Sequence, residues 1–222
     1  MWPTMDGDEW LADTRASYDT VAESYAELVG RALEGQPFLR AALGLFAGQV
    51  GSAGGGAVAD VGCGPGHVTA YLRGLGVEAF GVDLSPGMVE VARRENPGVR
   101  FEVGSMTELA LGDGSVAGVV AFWSLIHVPD EGVPGVFRQF RRVVRDGGPI
   151  MVGFHVGDGS RVKTQGYGGH PMKVHVHRRR PERVAAWMRD AGFTVHAEMR
   201  MGLDQGLPGA IVFGYAGREL LS

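Results

Sequence analysis

The chain lacks the residues and segments that mark several classes of protein. Its 222 residues include one cysteine, Cys63, so no disulfide can form within the chain and a reducing compartment is expected. No apolar run approaches the roughly 20 residues that a membrane-spanning helix needs. The N-terminal sequence MWPTMDGDEW has neither the basic nor the apolar segment of a secretory signal. We therefore expect a cytoplasmic protein.

An excess of positive charge is missing as well. The formal net charge is −4, whereas proteins that bind nucleic acid as their main partner have basic surfaces. Hydrophobic residues make up 45% of the chain, which suffices for a full core. The sequence thus predicts a single domain over residues 1–222, a monomer or homodimer, with neither nucleic acid nor a membrane as partner.

Strands and helices alternate through the middle of the chain. Short apolar segments predict strands over residues 57–61, 79–82, 100–103, 116–123 and 150–154, with helices over 68–75, 86–95 and 136–144. This alternation predicts a mostly parallel sheet with helices on both faces. A helix over residues 181–191 and strands over 194–198 and 211–215 are expected to complete the sheet with a terminal antiparallel hairpin.

Three further segments flank this core of residues 57–155. Apolar residues from Trp10 to Leu28 recur at three-, four- and seven-residue steps, which predicts a helix within an N-terminal cover over residues 1–50. Residues 156–180 are rich in Gly and His and poorly periodic, so they are predicted to form a lid. Residues 181–222 hold the C-terminal helix and hairpin.

The turn after the first strand is rich in glycine and reads DVGCGPGH from Asp60 to His67. Alternating glycines let a ligand approach the backbone and leave N–H groups at a helix start facing it. A dinucleotide loop needs a sixth-position glycine counted from Gly62, where this chain has His67. The Asp60 carboxylate would repel a pyrophosphate but suits a ligand that carries an ammonium and a sulfonium. The loop therefore favours S-adenosylmethionine over NAD.

A second acidic residue ends the second strand. Asp83, in the segment GVDLS, is placed to accept hydrogen bonds from both hydroxyls of a ribose. The alternative is that Asp83 caps a helix or a turn. Ser85 before Pro86 is itself a predicted N-cap.

The segments VADVGCGPGHVTAYL and FGVDLSPGMVEVAR resemble the cofactor motifs of class I S-adenosylmethionine-dependent methyltransferases, in particular the small-molecule group, over about residues 15–155. The resemblance implies an α/β fold with a Rossmann-like, seven-stranded, mostly parallel sheet. It also implies transfer of a methyl group to an O, N or C atom of a small-molecule acceptor by in-line displacement without a metal, with S-adenosylhomocysteine as product.

The same resemblance implies a set of cofactor contacts. Asp60 is expected near the methionine amino group, Gly62 and Gly64 against the methionine and ribose, and Asp83 on the ribose hydroxyls. The expected cofactor-binding residues are Tyr25, Asp60, Gly62, Cys63, Gly64, Gly66, Asp83, Leu84, Met88, Ser105, Met106 and Phe122.

Two positions depart from the family pattern. Ser105 stands where the group commonly has an Asp that binds the adenine amino group, and Val116-Ala117 stands in place of an aromatic-Asp pair. The first departure is expected to weaken cofactor affinity. The N/D-P-P-Y/F run of base and amide methylating enzymes is absent, and Phe122 and Trp123 occupy the places of metal ligands in catechol-type relatives.

Two histidines follow predicted strands and are the candidate catalytic residues. We predict His155 as the acid–base group and His127 as a group that positions the acceptor, in a substrate pocket shared with Tyr18 and Trp123. The alternative for each histidine is a bond to a backbone carbonyl that only shapes the pocket. His175 and His177 are spaced for a metal pair, but no third ligand is apparent, so no metal is predicted.

Other classes of function stay open at this point. The cluster from Arg178 to Arg183 is either a solvated face or a partner for an anionic substrate group. One alternative is a sensor or scaffold that binds S-adenosylmethionine without turning it over, which Ser105 alone favours. An NAD-dependent oxidoreductase is disfavoured by Asp60 and His67.

Overall fold

The computed structural model describes residues 9–30, 33–204 and 208–217. Parts of the predicted N-terminal cover (residues 1–8 and 31–32) and of the C-terminal segment (residues 205–207 and 218–222) lie outside the described residues. The described helices are α1 (Glu9–Val29), α2 (Pro37–Ser52), α3 (His67–Gly74), α4 (Pro86–Glu95), α5 (Val133–Val143) and α6 (Pro181–Asp190). The described strands are β1 (Val58–Val61), β2 (Ala79–Asp83), β3 (Phe101–Val103), β4 (Gly118–Phe122), β5 (Pro149–His155), β6 (Ser160–Gln165), β7 (Pro171–His177), β8 (Phe193–Met201) and β9 (Gly209–Ala216).

Seven of these strands form one sheet in the order β3-β2-β1-β4-β5-β9-β8. The five strands from β3 to β5 are parallel, and β9 runs antiparallel to both β5 and β8. This confirms the predicted mostly parallel sheet and its terminal hairpin. The chain moves outward from β1 to β3 and then returns to β4, so the order reverses between β1 and β4. Ligands bind outside the carboxyl ends of the strands at such a switch point.

The sheet is buried on both faces because its strand residues alternate between two cores. Ala59 and Val61 of β1 face the core that contains Phe137 and Phe140 of α5. Val58 faces the opposite core, which α2 and α3 complete. Since side chains alternate along a strand, Asp60 points to the same side as Val58, toward α3.

The segment predicted as a lid contains a β-hairpin rather than an irregular loop. Strands β6 and β7 pair antiparallel and form a separate two-stranded sheet. Met172, Val174 and Val176 are buried along β7, while the residues between them are more exposed. This period of two is visible in the sequence PMKVHVH, but the flanking Gly and His residues obscured it.

Helix α1 lies over the carboxyl edge of the sheet and packs against β7 and α4. Polar contacts fix it at both partners: the Ser17 hydroxyl accepts the Lys173 N–H of β7 at 2.8 Å, and the Asp19 carboxylate accepts the Ser85 hydroxyl at 2.5 Å. The predicted N-terminal cover is therefore a helix bound to the core by directed hydrogen bonds. Among the described residues, no helix combines the length and apolar character that crossing a membrane requires.

Candidate active site

A cavity of about 250 Å³ lies between α1 and the carboxyl ends of β1, β2 and β4. Most of the predicted site residues line it: Tyr18, Tyr25, Asp60, Gly62, Cys63, Gly64, Asp83, Leu84, Met88, Ser105, Met106, Phe122, Trp123 and His127. Two predicted residues, Gly66 and His155, are not part of the described lining. The structure thus gathers residues from both the glycine loop and the predicted acceptor pocket around one space.

Asp60 is a fully buried carboxylate at the end of β1. Its Oδ2 accepts a hydrogen bond from the Thr69 hydroxyl of α3 at 2.6 Å, whereas Oδ1 has no partner among the described residues. Burial raises the pKa of Asp60 to about 7, because removing a carboxylate from water disfavours its charged form. One buried acceptor atom is therefore left for a cationic or donor group of a ligand.

The glycines of the loop differ in what they make possible. Gly62 has a φ of +78°, and a Cβ there would lie 2.1 Å from the Ser124 Cβ, so no side chain fits between β1 and the segment after β4. Gly66 also has a positive φ, but a Cβ there would meet the Phe101 ring at 2.7 Å. Gly66 thus serves the packing of α3 against β3, and its predicted contact with the cofactor stays a prediction.

Asp83 receives two backbone hydrogen bonds that shape the loop. Its Oδ2 accepts the Gly64 N–H at 2.7 Å and its Oδ1 accepts the Ser85 N–H at 2.9 Å. The carboxylate therefore ties the β1 loop to the β2 loop, and the predicted turn-capping role of Asp83 is observed. Each carboxylate oxygen can accept a further hydrogen bond, so these contacts leave Asp83 capable of binding a ligand hydroxyl.

The wall formed by the loops after β2 and β3 is mainly apolar. Leu84 and Met88 line one part of it, and Met106 lines another. The Ser105 hydroxyl shares a 2.7 Å hydrogen bond with the Thr107 hydroxyl and accepts the Thr107 N–H at 3.2 Å. Ser105 is thus held by its own turn, and it offers a ligand a weaker acceptor than the Asp common in the family.

His67 begins α3 and lines the cavity, a position that the sequence pattern did not predict. Its Nδ1 is buried and has no hydrogen-bond partner among the described residues. Burial lowers the pKa of His67 to about 4, so the ring is neutral at physiological pH. A neutral imidazole at a helix N-terminus offers a ligand one more polar contact beside the unpartnered oxygen of Asp60.

Tyr18 and His127 both line the cavity and contact each other. The Tyr18 hydroxyl lies 2.7 Å from His127 Nε2, and His127 Nδ1 lies 2.8 Å from the His175 backbone oxygen. A carbonyl oxygen only accepts, so Nδ1 carries the hydrogen and Nε2 accepts the Tyr18 O–H. His127 is 8% exposed, and its burial lowers its pKa to about 4. The alternative in which His127 bonds a backbone carbonyl is therefore observed, together with a second bond that the sequence did not predict.

A buried arginine holds the turn that carries His127. Arg179, whose side chain is 1% exposed, forms an ion pair with Asp130 at 2.9 Å. It also donates to the backbone oxygens of Leu125 and Val128, which flank His127. A buried charge needs such partners to offset the loss of its hydration. Sequence reasoning missed this residue because it grouped Arg179 with its exposed neighbours.

His155 stands behind the cavity wall rather than in it. Its Nδ1 accepts the indole N–H of Trp123 at 3.3 Å, and Trp123 lines the cavity. Trp123 has a φ of +54°, an uncommon conformation for a bulky residue, and Cβ atoms at Gly153 and Gly209 would lie 2.6 and 2.9 Å from its ring. Two glycines and His155 thus fix this indole; His155 does not itself line the described cavity, and its predicted place in the substrate pocket stays a prediction.

The remaining candidates lie outside the cavity lining. Within the cluster from Arg178 to Arg183, Arg180 pairs with Asp158 at 2.8 Å and Arg183 with Asp130 at 3.2 Å. The rings of His175 and His177 stack with centroids 6.0 Å apart. No set of three His, Cys, Asp or Glu side chains suited to a metal ion occurs within residues 9–30, 33–204 and 208–217.

Further lining residues come from α1. Trp10, Thr14 and Tyr18 recur every four residues, and Leu11 and Arg15 recur beside them, so one face of the helix closes the cavity. The periodicity predicted the helix, but the identity of its partner surface requires the folded chain. Arg15 is the exposed cationic member of this face.

The proteins to which this chain is similar include methyltransferases. A family profile described as a methyltransferase domain matches residues 58–148, which include the glycine loop and Asp83. A ubiquinone biosynthesis O-methyltransferase of Xanthomonas oryzae is 29% identical over 150 residues, which cover 60% of this chain and 61% of that protein. The chain spans between 34% and 61% of the length of the curated relatives compared.

Two solved structures share the fold over nearly the whole chain. A 1,6-didemethyltoxoflavin-N1-methyltransferase of Burkholderia thailandensis, with bound 1,6-didemethyltoxoflavin and S-adenosylhomocysteine, has a TM-score of 0.72, 21% identity, and covers 98% of this chain and 93% of its own. The [4+2]-cyclase SpnF has a TM-score of 0.71, 18% identity, and covers 94% and 97%. The profile match over residues 58–148, the curated relatives and the strand order support a class I S-adenosylmethionine-dependent methyltransferase.

Proposed function

We propose that the chain is an enzyme that transfers a methyl group from S-adenosylmethionine to a small-molecule acceptor. The observation that carries the proposal is the single cavity that joins the acidic glycine loop to the Tyr18–His127 pair beneath α1. We call the part lined by Asp60, Gly62 and Asp83 the cofactor end, and the part lined by Tyr18, Trp123 and His127 the acceptor end.

The cofactor end suits S-adenosylmethionine in its charges and in its unpartnered atoms. The free Oδ1 of Asp60 would accept the ammonium, and Nδ1 of His67 at the start of α3 would face the carboxylate. Asp83 would accept the ribose hydroxyls through lone pairs that its backbone bonds leave free. When bound, the cofactor supplies a methyl group made electrophilic by its sulfonium.

The acceptor end would orient the acceptor and exclude water. Trp10, Leu11 and Val128 supply apolar walls, and Trp123 is held rigidly against two glycines. Placing a nucleophile about 3 Å from an electrophilic carbon in a dry, preorganised site provides much of the rate enhancement in such reactions. We propose an organic acceptor with an apolar body, and a reaction that needs no metal.

The fold alone does not determine the reaction, since a [4+2]-cyclase shares it. Calorimetry with S-adenosylmethionine, S-adenosylhomocysteine and NAD tests the cofactor: we expect micromolar binding of the first two and none of NAD. A screen of small molecules by mass spectrometry then tests the reaction through the gain of one methylene mass. Cofactor binding without methylated product from any acceptor would favour a sensor, a scaffold or a cofactor-independent reaction such as cyclisation.

A further inference from the structure

We propose that Tyr18 and His127 form a proton relay that accepts the proton of a hydroxyl acceptor, so that the enzyme methylates oxygen. This inference rests on the proposed function and names its substrate class, an apolar molecule that bears a phenolic or enolic hydroxyl. It replaces His155, which lies behind Trp123, with two residues that line the cavity themselves.

The direction of the relay follows from its two hydrogen bonds. Nδ1 of His127 donates to the His175 carbonyl, so the lone pair of Nε2 is directed at the Tyr18 hydroxyl 2.7 Å away. The Tyr18 proton engages Nε2, which leaves the lone pairs of the phenolic oxygen free to accept a proton from a ligand. The pair is therefore set to move a proton in one direction, from the cavity toward His127. Because burial lowers the pKa of His127 to about 4, this transfer must accompany methyl transfer, in which the sulfonium loses its positive charge.

The proton and electron balance of the step is complete without a further reactant. The O–H bond of the acceptor breaks, its proton moves to Tyr18 Oη, and the Tyr18 proton moves to His127 Nε2. The acceptor oxygen keeps its electron pair and bonds to the methyl carbon as the C–S bond breaks toward sulfur. One positive charge leaves the sulfonium and one appears on the His127 imidazolium, so the net charge inside the cavity is unchanged.

The surroundings keep the relay in its neutral form until an acceptor binds. Tyr18 is partly buried, and burial raises its pKa well above the ordinary value, so its phenol stays protonated and functions as a relay. Helix α1 carries Tyr18 and strand β7 carries the His175 carbonyl, so the relay is assembled from three separate segments when the cover is in place. A proton is thus accepted only where α1 closes the cavity.

Two variants and a control test the relay in the full-length protein. With a panel of phenols as acceptors, Tyr18→Phe and His127→Gln should each lower kcat by about a hundredfold or more. This is the rate enhancement that general acid–base catalysis typically provides. Their affinity for S-adenosylhomocysteine, measured by calorimetry, should stay within about threefold of the native protein. Tyr167→Phe is the matched control, because Tyr167 packs on Tyr25 in the same covering layer without lining the cavity.

A readout without turnover completes the test. With histidine labelled by ¹⁵N and S-adenosylhomocysteine bound, NMR should show His127 in its Nδ1–H form, and Tyr18→Phe should shift the Nε2 resonance. A His127 protonated on Nε2, or phenol turnover unchanged in Tyr18→Phe, would overturn the relay, as would a native protein that methylates amines but none of the phenols. A native protein that does not bind S-adenosylhomocysteine, or that methylates no acceptor at all, would instead refute the proposed function.

Discussion

The cofactor end of the cavity is built from loops that follow neighbouring strands, whereas the acceptor end is built from segments far apart in the chain. Asp60 and Asp83 lie at the ends of adjacent strands, and the Gly64 N–H of the loop that follows Asp60 donates to Asp83. Tyr18 and His127, by contrast, are separated by 109 positions and meet only because α1 lies across the sheet edge. The cofactor end therefore depends on local backbone geometry, whereas the acceptor end depends on the docking of the cover helix α1.

The largest effect we expect is a loss of stability from a substitution at the cofactor end. Gly62→Ala should destabilise the protein by about 3–4 kcal/mol, since a left-handed φ and a clash with Ser124 both oppose a Cβ. Gly64→Ala is the matched control: its φ is also positive, but a Cβ there would lie 3.6 Å from the Tyr25 ring, an ordinary contact. That variant should lose about 1–2 kcal/mol.

Urea unfolding of both variants measures the difference. Equal losses would mean that the close approach of β1 to the segment after β4 relaxes easily. The backbone of the cofactor end would then adapt to an added side chain, and local packing would not fix its geometry.

The second prediction concerns the buried charge of Asp60. Asp60→Asn should weaken S-adenosylmethionine binding by about a hundredfold, because the ammonium loses its charged partner. The same variant should raise the stability of the ligand-free protein above pH 7. There the native carboxylate is ionised in a buried site, while in the unfolded chain it ionises at its ordinary value near pH 4 without cost.

The pH dependence of native binding follows from the same pKa. Asp60 takes up a proton as the pH falls through about 7, and the ammonium needs the ionised form, so affinity should fall by up to about tenfold per pH unit below 7. Calorimetry between pH 5 and 8 should show this slope and the release of a proton on binding. Affinity independent of pH in both the native protein and the variant would remove Asp60 from the ammonium site.

The contrast between local and long-range contacts also explains which parts of the site could be predicted from the sequence. Motifs within one loop, such as Asp60 to Gly64, have a geometry that neighbouring residues determine, so their place in the cavity was predicted. Arg179 is the opposite case: its exposed neighbour Arg180 suggests a solvated cluster, and only the tertiary fold brings Asp130 and two carbonyls to it. The strand alternation of β7 was present in the sequence but was hidden among Gly and His.

The ends of strand β4 also depend on tertiary contacts that the sequence does not show. A strand was predicted over residues 116–123, whereas β4 covers Gly118–Phe122. Val116 instead bridges to Val144 beside α5, and Trp123 turns into a left-handed conformation at the cavity. Both ends of the apolar run lie outside the strand because of contacts with other parts of the fold, and hydropathy alone does not predict such contacts.

The third prediction tests the docking of the cover. Asp19 accepts the Ser85 hydroxyl and the Gly87 N–H, which join α1 to the start of α4. Asp19→Ala should speed amide exchange across α1 by about tenfold, as expected when two hydrogen bonds of modest net strength are lost. Exposed Glu27→Ala on the same helix is the control. Bound S-adenosylhomocysteine should slow this exchange in the native protein, and exchange indifferent to the ligand would make α1 a packing element alone.

The smallest effect is expected from substitution of His155. This substitution distinguishes a residue that only holds the wall of the acceptor end from one that takes part in the reaction. Because Nδ1 of His155 accepts the Trp123 indole N–H, and the ring does not line the cavity, its contribution is to hold that indole. His155→Gln retains an acceptor for this bond, so kcat should stay within about fivefold of the native value, well below the hundredfold expected for general acid–base catalysis. His155→Ala removes the acceptor and should raise KM more than it lowers kcat, with a shift in tryptophan fluorescence as the indole loosens. A hundredfold fall in kcat for His155→Gln, with cofactor affinity intact, would return the proton-accepting role to His155 and show that the cavity wall opens at Trp123 during turnover.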